Sequence, residues 1–135
     1  LREKYINNLN LQPKEFTTTS ADEKFFQKLI RIVNNNLSET SFSVAELSSE
    51  VNMDESTLYR KIKALTNLNP SAFIKSVRLN IASEMLKNNV SNVSDIAYSV
   101  GFSSPNYFIT NFKKQFGKTP GEYAQLYQQK PIAKI

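Results

Sequence analysis

One pattern occurs twice in this chain. Val44-Ala45-Glu46-Leu47 matches Val93-Ser94-Asp95-Ile96 at an offset of 49, and Val51 and Met53 match Val100 and Phe102 at the same offset. Beyond the turn the offset becomes 50, pairing Leu58 with Phe108, Ile62 with Phe112, Lys63 with Lys113 and Asn69-Pro70 with Thr119-Pro120, so one extra residue lies in the second turn. Such a repeat signals two copies of one supersecondary unit. Each copy reads as a short helix, a turn and a second helix. In the second copy Phe108, Phe112 and Phe116 recur every fourth residue and therefore share one helical face, which demands burial. The opposite face carries Asn106, Thr110, Lys113 and Lys114, with Ser103 and Ser104 at its entrance and Gly101 at the turn before it. A packed helix that is polar and cationic on its outer side, reached through a glycine turn, has the parts of a helix-turn-helix reader of the DNA major groove.

The rest of the chain supplies what two such units need. Ser20-Ala-Asp-Glu23 has the spacing of a capping box and opens a helix to about Asn36, with Phe25, Phe26, Leu29, Ile30, Ile32, Val33 and Leu37 as its apolar stripe and Asn34 to Asn36 fraying its end. Ser43-Val-Ala-Glu46 and Thr119-Pro-Gly-Glu122 repeat the capping spacing. Asp54, or Glu55 beside it, caps a helix that turns Leu58, Ile62 and Leu65 inward and Ser56, Tyr59, Arg60 and Lys63 outward. Asn69-Pro70 starts a longer helix to about Asn88, because proline at the first helical position costs no hydrogen bond. Its apolar set, Phe73, Ile74, Val77, Ile81, Met85 and Leu86, is wide enough to touch material on two sides, which suits a helix joining two lobes. Tyr123, Leu126 and Tyr127 are expected to close the second lobe.

Composition narrows the function. With no cysteine and no histidine among 135 residues, disulfides, thiolate chemistry and the commonest general base and metal ligand are gone, so no enzyme, metal or cofactor is expected. The net charge of +5 is unevenly spread: residues 1–55 hold 6 Lys/Arg against 9 Asp/Glu, and residues 56–135 hold 11 against 3. The cationic part begins with the first outward-facing second helix, as a nucleic-acid footprint requires, although a merely solvated basic surface would give the same sum. No run of 18 apolar residues and no signal pattern is present, so neither a membrane span nor secretion is expected. The chain starts at Leu1 and not Met, which suggests a piece of something longer.

Asp95-Ile96-Ala97, Gly101-Phe102, Tyr107-Phe108, Phe112-Lys113-Lys114, Gly117, Thr119-Pro120 and Tyr123 together resemble the signature of the DNA-binding domain of the AraC/XylS family of bacterial transcription regulators. The resemblance covers roughly residues 22–128 and implies an all-α fold of seven helices, two helix-turn-helix lobes joined by a long connecting helix. The first-lobe wording Leu58-Tyr-Arg-Lys-Ile-Lys-Ala-Leu65 and Pro70-Ser-Ala-Phe-Ile74, with the leading LREKY and the threonine-rich linker, is similar to the C-terminal output domain of Bacteroides-type hybrid two-component regulators. Several positions depart from the family pattern. Asn52 and Asn67 stand where glycine is common, and asparagine tolerates the left-handed backbone. Thr110 stands where arginine is frequent, and Ala124 follows Tyr123 where arginine often does.

The implied mechanism puts both second helices into successive major grooves about 34 Å apart on one side of a duplex, so that one chain reads two half-sites as a direct repeat. Base contacts are then expected from Ser56, Tyr59 and Arg60 in the first lobe and from Pro105, Asn106 and Thr110 in the second, with Lys63, Lys113 and Lys114 on phosphates. Against these stand plainer roles: an ion pair of Arg60 with Asp54 or Glu55, packing for Tyr59 and Tyr107, and simple solvation for Lys114 and Lys118. The expected organisation is an arm or linker over 1–19, a DNA-binding domain over 20–128 and a tail over 129–135. Within that domain lobe one is about 20–69, the connecting helix 70–88 and lobe two about 92–128. Expected partners are double-stranded DNA, RNA polymerase as a further candidate, upstream sensor or receiver domains, and a second copy in the full-length protein. The domain is expected in the cytoplasm, with the full-length protein a candidate for tethering at the inner membrane. A helical protein-interaction module that reads no DNA is the alternative, and a DNA-repair alkyl acceptor of related architecture is excluded for want of a cysteine.

Overall fold

A computed structural model describes residues 19–128, so most of the expected arm and all of the expected tail lie outside the described residues. Seven helices and no strand occur among them: α1 Ser20–Asn35, α2 Val44–Glu50, α3 Glu55–Thr66, α4 Pro70–Lys87, α5 Val93–Ser99, α6 Pro105–Phe116 and α7 Pro120–Gln128. The all-α, two-lobe expectation is met.

The helix starts follow side-chain capping. Thr19 caps α1 by accepting from the Asp22 amide at 3.0 Å while Asp22 accepts from the Thr19 amide at 3.4 Å. The box therefore sits one residue earlier than the Ser20–Glu23 pairing expected from the sequence, where two S/T-x-x-D/E frames overlap. Ser43 with Glu46 and Thr119 with Glu122 form the boxes expected of them. Asp54 caps α3, Asn69 caps α4 ahead of Pro70, Asn92 caps α5 and Ser104 caps α6 ahead of Pro105. At the end of α1 the Asn36 side-chain amide donates to the Ile32 carbonyl at 2.9 Å, which closes the last turn where fraying was expected.

The repeat is geometric as well as textual. In lobe one the Met53 amide donates to Ser48 and in lobe two the Phe102 amide donates to Ala97, both at 3.0 Å, so the same turn follows both first helices. Asn52 and Gly101 occupy it with φ of 57° and 94°, and Asn67 and Gly117 end the second helices with φ of 69° and 79°. At these matched positions the left-handed region that admits glycine freely is used twice by asparagine and twice by glycine, and Asn89, after α4, adopts it as well with φ of 52°. The extra residue of the second turn is Ser103, between buried Phe102 and the cap Ser104.

Packing centres on α4, which touches each of the other six helices. This is why its buried residues run without a break from Val77 to Glu84 and do not form one stripe. Phe26, Leu29, Val33, Leu47, Leu58 and Ile62 of lobe one and Ile96, Phe108 and Phe112 of lobe two join the buried residues of α4 in one continuous core. Lobe two is tied by aromatic rings: Phe102 to Phe108 at 5.3 Å, Phe108 to Phe112 at 5.6 Å, Phe112 to Tyr123 at 5.3 Å and Tyr123 to Tyr127 at 5.3 Å between centroids. Such pairs add about 0.5–1.5 kcal/mol each beyond burial. Leu126, expected to help close this lobe, is 52% exposed instead, because the neighbouring tyrosines already fill the contact.

Candidate nucleic-acid interface

Two second helices, α3 and α6, carry the candidate site. Leu58 and Ile62 anchor α3 with no exposure at all, and Phe108 and Phe112 do the same for α6, so each helix can turn only its other side outward. On α3 that side shows Ser56, Tyr59, Arg60 and Lys63, and on α6 it shows Asn106, Thr110, Lys113 and Lys114, all exposed. Pro105 is half-buried at the first position of α6.

The Arg60 guanidinium donates from Nη1 to the Ser56 hydroxyl and from Nη2 to the Thr57 hydroxyl, both at 3.3 Å. These exposed bonds stretch the side chain along the helix toward its N-terminus, and a base edge can replace them. The carboxylate contact weighed from the sequence is secondary. Asp54 is held below its usual range first by hydrogen bonds from Thr57, whose amide donates to it at 2.7 Å, and only afterwards by the charge of Arg60. On α6 the two asparagines split: Asn111 is buried and donates to the Tyr107 carbonyl at 2.9 Å, which leaves Asn106 as the amide facing out.

Lys63 directs its ammonium to the Asn67 carbonyl at 3.1 Å, at the C-terminal end of α3 where cations suit the helix dipole. Lys113 lends charge to Glu122, whose carboxyl is lowered chiefly by its hydrogen bonds from Thr119. Tyr107 is half-exposed, with its ring 5.7 Å from Phe102 and the Lys75 ammonium 5.8 Å above it. The ring thus packs on Phe102 while half of the residue stays exposed at the cleft.

The entrances of α3 and α6 border one cleft of about 530 Å3. Glu55 lines it from the start of α3, Ser103 from the turn before α6, Tyr107 from the first turn of α6, and Ser71, Lys75 and Arg78 from α4 between them. Lys75 and Arg78 were not singled out in the sequence. The sequence around Arg78, Val77-Arg-Leu-Asn-Ile-Ala-Ser-Glu84, mixes apolar, polar and charged residues, so the burial of this one cation is visible only in the fold. It is 6% exposed and donates from Nη1 to the Gly101 carbonyl at 2.7 Å and from Nη2 to the Glu39 carbonyl at 2.9 Å. Among the described residues no cluster of His, Cys, Asp or Glu could hold a metal, and no helix is long and apolar enough to cross a membrane.

Two packed helix-turn-helix units with polar, cationic second helices define a tandem DNA-binding domain. A family model described as a helix-turn-helix domain matches residues 47–126, more than half the chain. The chain is 40% identical over 129 residues to histidine kinase P4 of Formosa agariphila, covering 96% of this chain and 9% of that protein's length. A transcriptional regulator of Chromobacterium violaceum, described as of the AraC-type DNA-binding domain proteins, superposes with a TM-score of 0.74 at 22% identity, covering 84% of this chain and all of the other. The DNA-binding domain of AdpA, a global transcriptional factor solved with a target DNA, gives 0.69 at 25% identity, covering 78% of this chain and 96% of the other. The chain belongs to the AraC-type helix-turn-helix family of DNA-binding transcription regulators.

Proposed function

We propose that this chain reads double-stranded DNA as the output domain of a bacterial signalling protein, with α3 and α6 in successive major grooves on one face of the duplex. The observation that carries the reading is the shared cleft: the starts of both second helices open onto it, and their outer faces are exposed, polar and cationic. Ser56, Tyr59 and Arg60 contact base edges in one groove, and Pro105, Asn106 and Thr110 in the next, Pro105 by shape. Lys63, Lys113 and Lys114 contact phosphates. The working domain is residues 20–128, with lobe one about 20–69, the connecting helix 70–88 and lobe two about 92–128. Residues 1–19 serve as a linker to sensor or receiver domains, and 129–135 as a tail.

In this reading the chain itself carries no catalytic step, and any phosphotransfer of a longer protein resides outside these residues. Its place is the cytoplasm, with tethering at the inner membrane arising elsewhere in the full-length protein. It binds direct-repeat operators, contacts RNA polymerase and is strengthened by dimerisation through other domains, so the isolated chain binds weakly as a monomer.

Fluorescence anisotropy on duplexes selected from a random pool tests the residue roles. Arg60→Ala is expected to lose about 1–3 kcal/mol on the preferred sequence and to relax selection at one position. Lys113→Ala is expected to weaken all sequences alike and to lower the salt slope by about 1. Wild-type behaviour by both variants would contradict the assignment.

A further inference from the structure

Arg78 joins three parts of the molecule at one planar group. It projects from α4; its Nη1 donates to Gly101, in the turn before α6, and its Nη2 to Glu39, in the loop before α2. Glu39 belongs to lobe one and Gly101 to lobe two. The Glu39 carbonyl also accepts from the Phe42 amide at 3.0 Å, so its position is itself held. A guanidinium is a rigid fork: once both carbonyls are engaged, the fixed spacing and plane of its two terminal nitrogens restrict how far apart the carbonyls can stand.

Gly101 is shaped to this fork. Its φ of +94° disfavours any side chain, and a Cβ built there would collide with Arg78 Nη1 and with the Leu37 carbonyl oxygen. Burial opposes the charge of Arg78, and its Nε is buried without a hydrogen-bond partner. A cation in this position is therefore a costly way to hold a fold together. Apolar side chains of similar volume often serve stability as well or better.

We infer that Arg78 is a positioning residue for DNA recognition, a latch that fixes the relative setting of the two lobes and thereby the spacing of half-sites that α3 and α6 can engage together. This rests on the two-groove reading above. One base pair of mis-spacing moves a half-site about 3.4 Å along the axis and about a tenth of a turn around it, which a rigid pair of readers cannot follow.

The test uses the full chain and a set of duplexes carrying its two selected half-sites at separations changed by single base pairs, plus each half-site alone. The wild-type chain is expected to prefer one spacing by about tenfold over its neighbours, the size of one lost base-pair contact. Arg78→Met and Arg78→Lys are expected to keep their single-half-site affinities and to flatten that preference to within about threefold. A variant that binds every spacing more weakly but with the wild-type profile overturns the proposal, and so does loss of helical circular dichroism in both variants, because Arg78 then only supports folding. A wild-type chain indifferent to spacing would instead overturn the two-groove reading.

Discussion

At Thr110 the reading face of α6 offers a hydroxyl where a guanidinium could span a guanine edge. The position is exposed, one turn beyond Asn106, and nothing in the fold requires a short side chain there. Thr110→Arg is accordingly expected to raise affinity by about 1–3 kcal/mol for sites with guanine in the facing position, and selection from a random pool would show it. An unchanged selected sequence would remove Thr110 from the interface. Charge at the caps belongs to this scale too. The carboxyls of Asp54 and Glu122 titrate below their ordinary 3.8 and 4.5, because Thr57 and Thr119 donate to their ionised forms. The unfolded chain takes up these protons more readily, so the stabilisation is complete above those ordinary values and is lost as pH falls through the lower folded ones. Urea midpoints should drop on acidification, and less steeply in an Asp54→Asn, Glu122→Gln double variant. Equal slopes would mean that other carboxyls dominate. The outward set was legible in the sequence, since apolar spacing dictates which side a helix must hide. Arg78 and Lys75 were not: their partners are backbone carbonyls and a ring far along the chain, and no local pattern announces those.

The turns decide whether each element ends where the next must begin. Asn67 and Gly117 end α3 and α6 in the same left-handed conformation, and a Cβ at Gly117 would meet nothing within 4 Å. Gly117→Ala therefore suffers only the conformational penalty, about 1–2 kcal/mol. Gly101→Ala adds a collision with Arg78 and should cost clearly more, which chemical denaturation of the two variants would reveal. Equal losses would show that the Arg78 fork yields easily. Within α6, Phe112 touches the Phe108, Phe116 and Tyr123 rings, and Phe112→Ala is expected to cost about 3–5 kcal/mol by the same measurement. Helix boundaries were readable because caps and prolines mark them locally. At the start of α1 the slip of Ser20 for Thr19 arose where two capping frames overlap and only the choice of backbone register separates them. Leu126 shows the other limit, for an apolar residue in a short final helix faces the core only if its neighbours leave room.

For the whole molecule the question is how the two units stand to each other. Repetition in the sequence says that the lobes are alike but gives no angle between them; the angle comes from α4, buried nearly all round, and from the fork at its middle. The starts of α3 and α6 share one cleft, and the proposed reading lays a duplex across it against both outer faces. Hydroxyl-radical and methylation-interference footprints of the wild-type chain on its selected duplex test this directly. Two protected major-groove tracts, centred about 10–10.5 base pairs apart on one face, are the expected result. A single tract, or two on opposite faces of the duplex, would contradict it.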